Sequence, residues 1–192
     1  MYRKGGEVTL KASRIAKRYA RALLDIGRED GNYEEYGHEL KGFADLCVSN
    51  PDLFDFLSSP VFAVEEKVKV LDNILGKLEY SQTVNNFLRL LVERKRIDSI
   101  SEISGYYSML LDEVLGIARA KIITARPIKK KTLERLIKSL EKFTSKKIEP
   151  ETEIDKSIIG GVIVKIGDLI LDGSVTAQLE GLKESLKRGE YR

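Results

Sequence analysis

A single histidine, His38, and a single cysteine, Cys47, are all the chain offers for imidazole or thiol chemistry. Transition-metal sites usually gather three or four such ligands, so no metal site is expected. Any nucleophile paired with a histidine would have to use His38, which sits beside Glu39 on a charged helix side and reads as a surface residue. Cys47 falls on an apolar helical stripe and reads as core. The carboxylate pairs Glu34-Glu35 and Glu65-Glu66 are adjacent on helices, where neighbouring side chains diverge, so they suit solvated faces better than paired acid–base work. No Gly-x-x-x-x-Gly-Lys-Ser/Thr loop is present to cradle a nucleotide phosphate. Gly160-Gly161 and Gly167 fall inside or between strands, not in the strand-to-helix order of a dinucleotide site. Lys129-Lys130-Lys131 either contacts phosphate or an acidic partner, or is a solvated loop ahead of a helix. The chain therefore predicts no catalytic residues and no cofactor.

The elements that carry these residues follow from hydrophobic spacing. From Ser13, residues Ile15, Ala16, Tyr19, Ala20, Leu23 and Ile26 share a broad helical face, and Gly31-Asn32 breaks the helix. A second helix runs from Tyr33 to about Val48. Pro51 opens a short third helix through Leu57, where proline suits the first turn. Glu65 and Glu66 sit in the first turn of a fourth, where the helix dipole favours acids. Ser81 caps a fifth, with Val84, Phe87, Leu88, Leu91 and Val92 as its apolar side and Arg94-Lys95-Arg96 at its basic end. Ser99 to Glu102 has capping-box spacing for a sixth, which runs to Val114.

The character changes at Gly116. Ile117 to Ala125 alternates as a strand, Leu133 to Phe143 repeats as an amphipathic helix, and Ile148 to Ile154 alternates again. Pro150 cannot donate to a ladder, so that last segment is expected at a sheet edge. Val162 to Ile166 and Leu169 to Leu171 read as strands joined by a tight Gly167-Asp168 turn. Ser174 then caps a final helix with Val175, Leu179, Leu182 and Leu186 as its stripe. The expected class is α+β: an N-terminal six-helix bundle followed by a small C-terminal mixed domain, β-α-β-β-β-α. The expected division is a flexible arm over 1–12, a helical domain over 13–115 and a mixed domain over 116–192.

At 192 residues and 42% hydrophobic content, each half is long enough to close its own core. No apolar run approaches a membrane span, and the N-terminus has no apolar signal-peptide centre. Charge is uneven: residues 1–20 carry +5, residues 21–115 carry −8 and residues 116–192 carry +6, within a net +3. That asymmetry allows two domains with different partners, or simply two solvated surfaces. A basic nucleic-acid-binding adaptor is the alternative function it raises. Against that alternative, the basic half lacks an RNA-recognition strand motif and a KH clamp, and Tyr191 is its only tyrosine.

Several of these stretches carry a family resemblance. Asp155-Lys156-Ser157, Gly161-Val162-Ile163, Ile166-Gly167-Asp168 and Ile170-Leu171-Asp172-Gly173-Ser174-Val175 together resemble the C-terminal signature of the δ subunit of F-type ATP synthases, called OSCP in mitochondria. Gly160 departs from it, standing where some members carry another small residue. In the first helix, Ala16-Lys17-Arg18-Tyr19-Ala20-Arg21-Ala22-Leu23 is similar to the family's Arg-x-Tyr-Ala-x-Ala pattern. In the fifth, Asn86 through Arg96 is similar to its Asn-x-x-x-x-Leu/Met-x-x-x-x-Arg segment. The resemblance spans about Ser13 to Leu186.

What the resemblance implies is a non-catalytic stator component that couples rotation to proton translocation and ATP synthesis. Helices one and five would form a groove for the N-terminal helix of an α subunit, engaging Ala16, Tyr19, Ala20, Leu23, Phe87, Leu88 and Leu91. The same residues could instead simply pack the bundle. The C-terminal domain would grip the b (and b') subunits of the peripheral stalk, with Val175, Leu179, Leu182 and Leu186 as the candidate surface. No nucleic-acid partner is implied. The protein would associate peripherally, through the complex, with the cytoplasmic face of a bacterial inner membrane.

Overall fold

The computed structural model describes the backbone of residues 12–188 and side chains through residue 183. The expected arm over residues 1–12 thus lies, but for Ala12, outside the described residues, as does the side chain of Leu186. Among the described residues the chain forms eight α-helices and one four-stranded mixed sheet. It divides into two compact units, residues 1–111 and 112–192. The division falls four residues before the expected 115/116 boundary. Asp112, on the last turn of a helix, is ion-paired with Arg119 of the first strand at 2.6 Å, which draws that turn to the second unit.

The first unit is helical: α1 (Arg14–Asp30), α2 (Tyr33–Ser49), α3 (Pro51–Ser58), α4 (Val64–Leu78), α5 (Gln82–Glu93) and α6 (Ile100–Leu115), the last preceded by a 3-10 turn, Ile97–Ser99. Each start and stop has a local cause. Ser13 Oγ accepts from the Ala16 N–H, satisfying one of the unpaired donors of the first turn of α1. Ser81 Oγ does the same for α5, from Val84. Pro51 begins α3, where its missing N–H costs nothing. Asn50 is the N-cap of α3, but its side chain makes no cap bond there; the amide donates back to the Leu46 carbonyl and closes α2 instead.

Leu23, Leu40, Phe43, Leu57, Leu71, Leu88, Leu91, Ile97, Ile100, Ile103 and Tyr107 are fully buried at the centre of this unit. Two polar ties cross that core. Glu39, itself buried, accepts from both the N–H and the hydroxyl of Ser81, at 2.7 and 2.6 Å, joining α2 to the start of α5. The Tyr107 hydroxyl donates to the Tyr33 carbonyl at 2.7 Å. The capping box expected at Ser99–Glu102 does not form. Ser99 lies in the 3-10 turn, and the Glu102 carboxylate accepts from the Ser13 N–H at 3.0 Å, pinning the start of α1 to α6.

The second unit runs β1 (Ile117–Thr124), α7 (Lys130–Thr144), β2 (Lys147–Ile154), β3 (Val162–Ile166), β4 (Leu169–Asp172) and α8 (Val175–Arg188). Its sheet order is β2-β1-β3-β4, with β1 parallel to β2 and antiparallel to β3, and β3 antiparallel to β4. Pro150 therefore sits on an edge strand, where its missing donor is tolerated. Ala120, Ile122, Ile148 and Val164 point to one face and close a small core with Leu140 of α7. Arg119 and Lys121 point to the other, paired with Glu149 and Glu153 of β2 at 3.3 and 2.8 Å.

Lys129-Lys130-Lys131 is not a loop ahead of a helix. Lys130 and Lys131 form the first turn of α7 and Lys129 is its N-cap, all three exposed.

Candidate partner-binding site

The single histidine and the single cysteine lie on the same helix in different surroundings. His38 is exposed on α2. Cys47 is buried on the same helix, and desolvation pushes its thiol up to about 11, so the nucleophilic thiolate is scarce at neutral pH. Among the described residues no group of three or more His, Cys, Asp or Glu side chains is arranged to hold a metal ion.

The glycines of the C-terminal stretch have structural occupations. Gly161 has φ +88°, and a Cβ there would lie 2.3 Å from the Gly173 carbonyl oxygen, so only glycine permits this crossing of two backbones. Around it, Gly173 N–H donates to Val162 O and Val175 N–H to Gly160 O, at 2.9 and 3.0 Å. Asp172 accepts from the Ser174 N–H, and Ser174 Oγ in turn accepts from the Ala177 N–H, at 2.9 and 3.1 Å. Asp155 likewise accepts from the Ser157 N–H at 2.8 Å. Hydrogen bonds from the Ser157 side chain and backbone hold Asp155, and those from the Ser174 backbone and side chain hold Asp172, below the usual carboxylate range. The signature thus closes β3, β4 and the start of α8 into one unit.

An open cavity of about 570 Å³ lies between α1 and α5. Tyr19 and Phe87 form its aromatic wall, edge to face with ring centroids 6.2 Å apart. Ala22, Leu23, Ile26 and Leu90 supply apolar lining, and Arg18, Arg94 and Arg96 complete it. Ile26 is 45% exposed and Leu90 38%, so both offer aliphatic surface to the open side of the cavity. The Tyr36 hydroxyl donates to Asp30 and also bonds Thr83, at 2.5 and 3.1 Å, which puts the end of α1 beside the start of α5. Phe87, further along α5, meets Tyr19, further back along α1, so the two helices run antiparallel.

Of the seven residues expected in this groove, Tyr19, Leu23 and Phe87 line it. Ala16, Ala20, Leu88 and Leu91 are in the core and do not border the cavity, whereas Leu23 borders it although it too is 0% exposed. Ala22, Ile26 and Leu90 line the groove and were not anticipated there. The signal that could have found Leu90 is its position two residues beyond Leu88, off the buried stripe of α5 yet aliphatic.

On the second unit, Leu179 and Leu182 of α8 are 54% and 58% exposed, and Val175 is also exposed. Val175 lies beside Gly160, while Leu179 and Leu182 keep more than half of their surface open. Leu169, Ile170 and Leu171 of β4 are exposed as well. An apolar cavity of about 530 Å³ opens by Ile128, Leu136, Ile159 and Gly161. Ile159, largely exposed at its edge, was not anticipated.

Known proteins resemble the chain in sequence and in fold. Residues 15–186 match the family model described as ATP synthase delta (OSCP) subunit. The chain is 39% identical over 181 residues to ATP synthase subunit delta of Desulfotalea psychrophila, covering 94% of this chain and 100% of that one. It is 42% identical over 174 residues to the subunit of the same name from Syntrophus aciditrophicus, covering 91% and 96% respectively. A chain in the cryo-EM structure of the Toxoplasma gondii mitochondrial ATP synthase hexamer superposes with a TM-score of 0.66 over 91% of this chain and 98% of that one, at 18% identity, a likeness of fold. With the family match spanning both units, the chain belongs to the ATP synthase delta (OSCP) subunit family.

Proposed function

We propose that the protein is a non-catalytic stator component of an F-type ATP synthase, joining the catalytic head to the peripheral stalk. The observation that carries the reading is the open apolar groove between α1 and α5. Its aromatic wall and exposed Ile26 and Leu90 suit the apolar face of an amphipathic helix. The occupant we infer is the N-terminal helix of an α subunit. The b (and b') subunits of the stalk would dock on the second unit, against Val175, Leu179 and Leu182 of α8. A static link of this kind resists torque, so that rotation stays coupled to proton translocation and ATP synthesis. Holding through dilution calls for roughly nanomolar affinity, about 12 kcal/mol.

No helix among the described residues is long and apolar enough to cross a membrane. In the proposed assembly the chain would sit on the cytoplasmic face of a bacterial inner membrane, held there by its partners. The nucleic-acid alternative gains no support: Arg119 and Lys121, central on the open sheet face, are engaged by Asp112, Glu149 and Glu153 and do not form a bare phosphate track.

The test is direct binding of a synthetic α-subunit N-terminal peptide. Leu90→Asp places a charge on the groove at an already exposed position, so binding should fall while the helical unit stays folded. Retained affinity in this variant would remove the groove assignment.

A further inference from the structure

Resting on the groove reading above, we propose that the guest helix carries carboxylates at one end and that Arg18, Arg94 and Arg96 receive them. The antiparallel run of α1 and α5 gathers these three side chains. Arg18 stands in the first half of α1, next to Tyr19, and its guanidinium lies 5.6 Å from the Tyr19 ring centroid. Arg94 follows Leu90 by one helical turn, and Arg96 comes two residues later. All three are exposed, and all three border the same cavity. Among the described residues none of them is in an ion pair, and no carboxylate lines that cavity.

The turn that presents Arg94 and Arg96 is built at a cost. Arg96 N–H donates to Leu91 O and Lys95 N–H to Val92 O, at 2.8 and 3.0 Å, which is the double closure of a Schellman helix end. That closure needs a left-handed residue, usually glycine, and here Lys95 adopts it with φ 54°. The neighbours of Arg18 on α1 turn the other way: Lys17 and Arg21 lie over the Tyr106 ring of α6, and Arg21 donates to its hydroxyl. Arg18 alone of that trio turns to the groove.

An apolar floor with cations at one end recognises an amphipathic helix whose acidic end lies there. A helix inserted the other way round would carry its carboxylates away from the three arginines, toward the Ile26 end of the cavity, where no cation lines it. The arginines thus set the guest's direction and speed its capture, since rim charges act mainly on association rate and on partner choice.

The experiment uses the full chain and a synthetic α-subunit N-terminal peptide, read by fluorescence anisotropy at low salt and at about 0.3 M salt, where screening shortens the reach of charge to a few ångströms. Arg94→Glu with Arg96→Glu should weaken binding about tenfold at low salt and flatten the salt dependence. A peptide whose acidic end is changed to lysine should bind the wild type weakly and the doubly reversed variant well. That peptide-side arm needs no altered protein fold, and Arg18→Gln provides a milder second variant. If salt dependence and affinity are unmoved by both reversals while Leu90→Asp still abolishes binding, the arginine assignment falls and the groove stands. If the unmodified peptide does not bind the wild type at all, the groove reading falls and takes this one with it.

Discussion

Tyr19 of α1 and Phe87 of α5 meet edge to face, their rings 6.2 Å apart and inclined at 72°. This arrangement lets the positive edge of one ring approach the negative face of the other, and it holds two antiparallel helices apart at the width of an open groove. Phe87 is nearly buried and Tyr19 half-buried, so the pair forms a wall and not a lid. Tyr19→Ala should leave the groove without that wall. Binding of an α-subunit N-terminal peptide should drop by about 2 kcal/mol, in the range of aromatic anchors, while the melting temperature changes little. Calorimetric titration beside a thermal melt checks both halves.

The carboxylate of Glu39 has a purely structural assignment. It serves the N–H and hydroxyl of Ser81 from within the core, so Glu39→Ala leaves a buried donor without a partner. A loss of about 1–3 kcal/mol in urea unfolding is expected, with no direct effect on any residue lining the groove.

Glu102 supplies a pH dependence. The Ser13 backbone and side chain bond its carboxylate and hold it below the usual carboxylate range. A group depressed in the folded state stabilises above its unfolded pKa, and that contribution disappears as pH falls through the folded value. Glu102→Gln should therefore be less stable than wild type near neutral pH and converge on it in acid. Paired melts across the acid range would show the convergence.

Gly161 cannot carry a side chain. With φ +88° and the Gly173 carbonyl 2.3 Å from a would-be Cβ, Gly161→Ala forces β3 away from the start of α8. Loss of several kcal/mol, on the order of 3 or more, is expected for the second unit, because strain and steric displacement combine. Hydrogen exchange at Val162, Gly173 and Val175 should rise first. By the opposite logic, Lys95→Gly relieves a left-handed lysine and should add about 0.5–1 kcal/mol to the helical unit.

Some of this was legible in the chain and some was not. The hairpin at Gly167-Asp168, the Ser174 cap and the edge position of β2 follow from strand alternation, a turn glycine and a proline, all of which act over a few residues. Glu102 was misread because capping-box spacing is a local rule, and its actual partner, Ser13, lies 89 residues away in sequence. The helix end at Arg94 was readable from its charges. Its left-handed lysine was not, since glycine is the residue that ordinarily marks such a turn.

The groove shows the same limit. Helical periodicity separates an apolar face from a polar one, but not the part of that face covered by the protein's own helices from the part left open. Ala16, Ala20, Leu88 and Leu91 fit the stripe and are buried, while Ala22, Ile26 and Leu90 lie at its margin and line the cavity. Only the placement of α1 against α5 decides between them. In the second unit the stripe of α8 was read correctly as apolar, and its exposure at Leu179 and Leu182 emerges only once the helix is seen to lack a cover there.

The central claim is that the α1–α5 groove holds a helix from the catalytic head. Its most direct measurement is the affinity of an α-subunit N-terminal peptide for the wild-type chain and for Leu90→Asp, with circular dichroism confirming that both are folded. The account predicts saturable binding to the wild type and a loss of at least about tenfold in the variant, the effect of a charge set into an apolar contact. Equal affinity for two folded proteins would contradict it.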